Sequence, residues 1–250
     1  RAIYIDHQLQ SISADWGRFV SDQCAVLNVA CIVEAVEVQE GNLEHQARNA
    51  RYQAYSKHLK PHEILVLAHH QQDQAETLIL RLLSGAGVHG LAAMKQLDVR
   101  EQFTIWRPLL DISREQICQW AAQLDVQNIE DPTNLDTHYD RAWCRHELWP
   151  MLQNRYPKMQ QALSRTSYLM QDAEDILLDV LQQDLIACGS ATELDLTELS
   201  QLSTARQRQL LSAWMKGQDT YRPSFEMVER LLQEVINSKS DARAALHWNQ

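Results

Sequence analysis

Four short runs rich in β-branched and aromatic residues recur along this chain: AIYIDHQL from Ala2, ACIVEAVEV from Ala30, EILVLAHH from Glu63 and TIWRPLL from Thr104. Between them lie stretches whose apolar residues return every three or four positions, at 13–28, 43–59, 73–83 and 113–124. Strand runs alternating with helical runs constrain the fold strongly. Such a chain buries its apolar side chains by setting mostly parallel strands side by side and laying helices on both faces, so an α/β fold is expected.

The alternation stops near Pro150. Beyond it QQALSRTSYLMQDAEDILLDVLQQDLI carries helical spacing throughout, ATELDLTELSQL reads as one short strand or a turn, and 203–216 and 224–237 read as helices, the second introduced by Pro223 and a Ser224 cap. At 250 residues the chain exceeds what one core usually fills. The expected division is an α/β domain over 1–152 and a smaller all-helical domain over 153–250.

Composition excludes several classes. The five cysteines are scattered, with no Cys-x-x-Cys pair, which speaks against a disulfide framework, a zinc knuckle or an iron–sulfur site and favours a cytoplasmic location. No apolar run is long enough to cross a bilayer. The formal net charge of −10 disfavours unspecific nucleic-acid binding, yet between Arg141 and Arg165 the chain sets Arg141, Arg145, Arg155, Lys158 and Arg165 against the single acid Glu147. That is a basic island in an acidic protein.

The chemistry concentrates in LAHHQQDQAETLILRLLSGAGVHGLAAM, Leu67 to Met94. A strand ending at Ala68 delivers His69 and His70 to the carboxyl edge of the sheet, where open α/β folds bind ligands. Asp73, Glu76 and Thr77 then share one face of the following helix. Spacing alone leaves three readings: acids that complement the helix dipole, histidines packed at a strand end, or a metal site formed by His69, His70, Asp73 and Glu76. Gly85, Gly87 and Gly90 after the helix exceed the needs of one cap and point to closely approached backbone.

His69-His70-x-x-Asp73-x-x-Glu76-Thr77 followed by Leu82-x-x-Gly85-x-Gly87-x-x-Gly90-Leu91-x-x-Met94 resembles the tRNA(Ile)-lysidine synthase family, of the N-type ATP pyrophosphatase or PP-loop superfamily. DHQL, EHQARNARYQAY, RPLL and EDPTNLDTHYDRAWCRHELWPML continue the likeness in order and spacing. Two departures stand out. Arg141-Ala142-Trp143-Cys144-Arg145 has alanine where the family usually has asparagine, and no Gly-Gly pair occurs, so the family's Ser-Gly-Gly-x-Asp-Ser phosphate loop is missing. The expectation is a fragment without its first strand and that loop, inactive by itself.

The resemblance implies a PP-loop domain and a tRNA-binding helical domain. It implies an ATP-dependent ligase that joins free L-lysine to C2 of the wobble cytidine of a tRNA(Ile) with a CAU anticodon, with Mg2+ brought by ATP and no metal site of its own. Asp73, Glu76 and His69 become the catalytic candidates. Asp73, Glu76, Thr77, Arg48, Arg51, Arg141 and Arg145 would hold lysine or tRNA, and His7, Arg107, Gly85 and Gly87 would line the ATP site. The enzyme would be cytoplasmic and without membrane contact, and a homodimer is compatible with it. The competing readings are a sulfur-transferring tRNA enzyme of the same superfamily, a metal-dependent hydrolase and a non-catalytic tRNA-binding fragment.

Overall fold

A computed structural model describes residues 1–41, 43–100, 102–217 and 222–236. The chain divides into Arg1–Gln171 and Asp172–Gln250.

The first unit opens with β1 (Ala2–Asp6), α1 (Ser13–Val26) and β2 (Cys31–Ala35), with β1 and β2 parallel in register from Ala2 opposite Cys31 to Asp6 opposite Ala35. This is the β-α-β order that the sequence pattern implied. There follow α2 (Leu43–His58), β3 (Ile64–Val66), α3 (Gln71–Leu83), α4 (Val88–Leu91), β4 (Leu97–Val99), β5 (Thr104–Trp106) and α5 (Arg114–Gln123). Strand β5 is central in a second sheet, parallel to β3 and antiparallel to β4. Three-residue β4 was not expected from the sequence: LDV is too short to show alternation, and the strand exists because it pairs with β5.

The strand EILVLAHH was expected to be buried on both faces, and the structure differs. Leu65 and Ile105 face a core with Tyr55 and Phe103. On the opposite face Ile64, Val66, Leu97, Val99 and Trp106 stand between 44% and 75% exposed. The β3–β5–β4 sheet thus has one buried face and one open face, each set by the two-residue alternation of the pleat.

Helix α5 starts at a capping box, Ser113 Oγ accepting from the Gln116 N–H while Gln116 accepts from the Ser113 N–H. A 3-10 turn over Pro132–Leu135 leads to α6 (Asp140–Trp143), a π-helical turn over Cys144–Leu148, α7 (Trp149–Arg155) and the 30-residue α8 (Met159–Cys188). Pro150 accounts for the widened turn: it lacks an N–H and its ring crowds the carbonyl four residues back, so the Trp149 N–H reaches back to the Cys144 carbonyl instead.

In the second unit α8 ends, and α9 (Leu196–Gln201), α10 (Thr204–Lys216) and α11 (Phe225–Arg230), continued by a π turn over Leu231–Ile236, close a core of Leu181, Leu199, Leu210, Leu211, Met215 and Val228. The helices begin where side-chain caps allow, at Asp195, Ser203 and Ser224. ATELDLTELSQL holds a turn, bridged at Leu194 to the preceding Gly189, and then α9. Residue 237, the expected end of the last helix, lies outside the described residues. Among the described residues no helix is long and apolar enough to cross a membrane.

Because Ile105 is fully buried in the strand that both neighbours share, Ile105→Ala is expected to lower stability by about 2–5 kcal/mol and Ile105→Val by about 0.5–1.5 kcal/mol. Urea unfolding followed by far-ultraviolet circular dichroism measures both.

Candidate active site

Strands β1 and β3 end close to two histidines. His7 follows β1, and Arg51 on α2 donates to its Nε2 at 3.2–3.3 Å. A ring nitrogen that accepts is unprotonated, so the His7 proton sits on Nδ1, which is buried and has no partner among the described residues. Burial foremost, and then the charge of Arg51, lower the His7 pKa. His69, after β3, also has a buried Nδ1 without a partner among the described residues. Burial pulls its pKa down to about 4, with Arg107 and Arg141 adding to the effect and Asp73 opposing it. Both imidazoles are neutral at pH 7. Arg107 directly follows β5, donates to the Lys95 carbonyl at 2.7 Å and lies 3.5 Å from Asp98, leaving a buried Nε unpartnered among the described residues.

Helix α3 begins with its Asp73 carboxylate accepting from the His70 N–H at 2.9 Å. One turn on, Glu76 is 0% exposed and accepts three hydrogen bonds: from Arg145 Nε and a terminal nitrogen, each at 2.9 Å, and from Gln72 at 3.0 Å. Arg145 also lies 3.7 Å from Asp73. It comes from the π turn that Pro150 causes. Arg141, one turn earlier, reaches the Thr77 hydroxyl at 3.4 Å and Glu44 of α2 at 3.5 Å. Cys144 between them is fully buried, and burial together with Glu76 pushes its thiol up to about 11, so it is not a nucleophile.

The structure therefore gathers Asp73, Glu76, Thr77, Arg141 and Arg145 into one group and sets His7 beside Arg51. Arg48 lies over the Tyr52 ring, 4.8 Å from its centroid. Gly85 and Gly87 are not part of the gathering. They follow the far end of α3, roughly 15 Å of helix from Asp73, and open space surrounds both. Gly85 adopts φ +76°, a conformation that disfavours side chains, and a Cβ on Gly90 would stand 2.5 Å from that of Ala86. The chain then runs back along α3. Arg81 donates to the Gly90 and Ala93 carbonyls, and the buried Gln74 amide both donates to and accepts from the Met94 backbone. These glycines shape a return loop.

Two participants were not singled out from sequence. Gln72 donates to Glu76, and its four-residue interval to that acid signals a same-face contact. Glu44 opens the quoted EHQARNARYQAY motif, but its pairing with Arg141 spans too much chain to be read from spacing. Asp131 accepts from Thr133 and from Gln10, which ties the Asp-Pro-Thr-Asn turn to the loop after β1. Among the described residues no three His, Cys, Asp or Glu side chains converge as a metal site requires. His69, His70, Asp73 and Glu76 do not form such a group.

Neutral histidines just past the carboxyl ends of β1 and β3, with an acid–arginine cluster on the helix that follows β3, stand where open α/β folds bind their ligands. Residues 1–152 match the PP-loop domain and residues 194–250 the TilS substrate binding domain; the chain belongs to the PP-loop family. Proteins named tRNA(Ile)-lysidine synthase from Acinetobacter baylyi, Proteus mirabilis and Escherichia coli O157:H7 are similar to it. The first is 61% identical over 249 residues, 100% of this chain and 54% of that protein. The second is 40% identical over 254 residues, 100% and 57%, and the third 36% identical over 249 residues, 98% and 58%. The chain spans little more than half the length of these curated relatives. Among solved structures, the U34-tRNA thiolase NcsA from Methanococcus maripaludis with its [4Fe-4S] cluster has a TM-score of 0.50 at 13% identity, covering 68% of this chain and 60% of that one. That likeness concerns the fold.

Two measurements probe the site. Arg145→Ala leaves the Glu76 carboxylate buried without its charge partner, and a loss of about 3–5 kcal/mol in urea unfolding is expected. His69 carries fewer protons folded than unfolded between pH 6.5 and about 4. This group therefore leaves stability unchanged above pH 6.5 and lowers it by about 3 kcal/mol as the pH falls toward 4. In a nuclear magnetic resonance titration the His69 ring should turn over near 4; a midpoint at the ordinary histidine value contradicts the burial argument.

Proposed function

We propose that this chain is the catalytic and part of the substrate-binding portion of a tRNA(Ile)-lysidine synthase. The reading is supported above all by one observation: just past the carboxyl ends of β1, β3 and β5 stand a neutral His7, a neutral His69 and Arg107 with buried unmet nitrogens, beside an acid–arginine group. It draws further support from relatives of that name matching over essentially the whole chain. In the proposed reaction ATP adenylylates O2 of the wobble cytidine in a tRNA(Ile) with a CAU anticodon and releases pyrophosphate. The ε-amino group of lysine then attacks C2, loses a proton and expels AMP. The setting would be the cytoplasm, with magnesium entering on ATP.

The residues fit nucleotide binding by their unmet hydrogen bonding. His7 Nδ1–H and Arg107 Nε–H are buried donors without acceptors among the described residues, and a polyanionic ligand supplies acceptors. His69, with a pKa of about 4, serves as a neutral hydrogen-bonding group there and not as a proton store. Arg51 holds the His7 tautomer.

The acids divide their work. Glu76 is occupied by Arg145 and Gln72, so it positions Arg145. Asp73 uses one oxygen on the His70 N–H and, among the described residues, leaves Oδ1 with only a 3.7 Å approach from Arg145. Asp73 is therefore the carboxylate that holds the lysine ammonium near the reacting carbon. Arg141 and Arg145 present cations to the lysine carboxylate or to tRNA phosphate.

In the full-length enzyme Asp73→Asn should lower radiolabelled lysine incorporation into tRNA by roughly 10- to 100-fold while pyrophosphate release from ATP and tRNA stays close to wild type. Equal loss of both half-reactions sinks the division of labour. Absence of both in the wild-type enzyme sinks the function.

A further inference from the structure

The basic island splits into two sets. Arg141 and Arg145 are engaged with Glu44 and Glu76. Arg155, Lys158 and Arg165 are exposed and form no ion pair among the described residues. Two of these free cations, Arg155 and Lys158, line a cavity of about 650 Å³ between α3, α7 and the start of α8, walled by Ile79, Leu152, Met159 and Leu163. The cavity shares no lining residue with the Asp73–Glu76–Arg145 group. At its edge Tyr156 is 59% exposed, with the Arg155 guanidinium 5.7 Å from the ring centroid.

An apolar cavity of this size holds a flat organic group. The free cations say what that group is attached to. In a chain of net charge −10, unpaired positive charge at an apolar cavity complements a polyanion, and an aromatic ring flanked by cations is how proteins hold unpaired nucleotides. We propose that this cavity receives one unpaired base of the tRNA other than the reacting cytidine, stacked against Tyr156, with Arg155 and Lys158 on the flanking phosphates. The walls are almost wholly apolar, so the cavity takes the base by stacking and burial and tolerates any base identity. The inference rests on the reading that tRNA is the substrate.

The test uses the full-length protein and a tRNA(Ile) transcript with a CAU anticodon. Ala162 lines the cavity from an exposed turn of α8, so Ala162→Phe fills the space without disturbing a core. Ala162→Phe and, separately, Tyr156→Ala should each weaken tRNA binding by roughly 5- to 150-fold with the salt slope unchanged. Arg155→Gln with Lys158→Gln should instead reduce the salt slope by about one to two units. Thermal unfolding by circular dichroism verifies that each variant is folded. Wild-type binding of tRNA that neither Ala162→Phe nor Tyr156→Ala alters overturns this inference alone. A wild-type protein that does not bind tRNA overturns the proposed function and this inference with it. Sedimentation in which Ala162→Phe converts a dimer to monomer, with tRNA affinity retained, assigns the cavity to a second copy of the chain and also overturns it.

Discussion

The buried Glu76–Arg145 pair is the contact on which the site depends. A carboxylate with no exposure costs several kcal/mol to desolvate and is tolerable only when its oxygens are fully bonded. Arg145 meets that demand with two parallel N–H donors and Gln72 with a third. A fork-to-fork pair fixes orientation as well as distance. It locks α3 to the π turn and so sets Arg141 against Thr77 and Arg145 beside Asp73. The π turn itself traces to Pro150, five residues past Arg145. A backbone defect thus aims the arginine.

The other half of the site follows an opposite logic. Where Glu76 is satisfied, His7, His69 and Arg107 each keep a buried nitrogen unmet. Folded proteins rarely leave such groups alone unless something else completes them. Burial holds both imidazoles neutral, which suits groups that donate and accept hydrogen bonds at a strand edge without adding charge to an already arginine-rich neighbourhood. The site therefore combines a finished acid–arginine cluster with an unfinished set of two neutral imidazoles and one arginine.

The glycine-rich segment shows how one motif serves two distances. Its tight spacing invites a ligand-binding reading, yet Gly85 turns the chain at φ +76° and Gly90 makes room against Ala86. Their effect on the site is indirect. The return along α3 brings Met94 to the Gln74 amide, and Lys95 and Gln96 to Arg107, so the loop braces the helix that carries the acids and the strand that carries the arginine.

The α/β class, the start of an all-helical run after Pro150, and the location of His69, Asp73, Glu76 and Thr77 at a strand-to-helix junction were legible in the chain itself, because two-residue and 3.6-residue periodicities and caps such as Ser113 and Ser224 are local properties. Tertiary structure decided the rest. Nothing in the spacing says that Glu76 belongs to Arg145, 69 residues away, that Arg141 takes Glu44, or that Arg155 and Lys158 form no ion pair among the described residues. Periodicity shows which face a side chain occupies, but partners across such distances are chosen by the packing of α2, α3 and the π turn. For the same reason Gly85 and Gly87 could be seen in sequence but not placed: a helix of 13 residues carries its two ends well apart, and only the fold shows which end reaches the site.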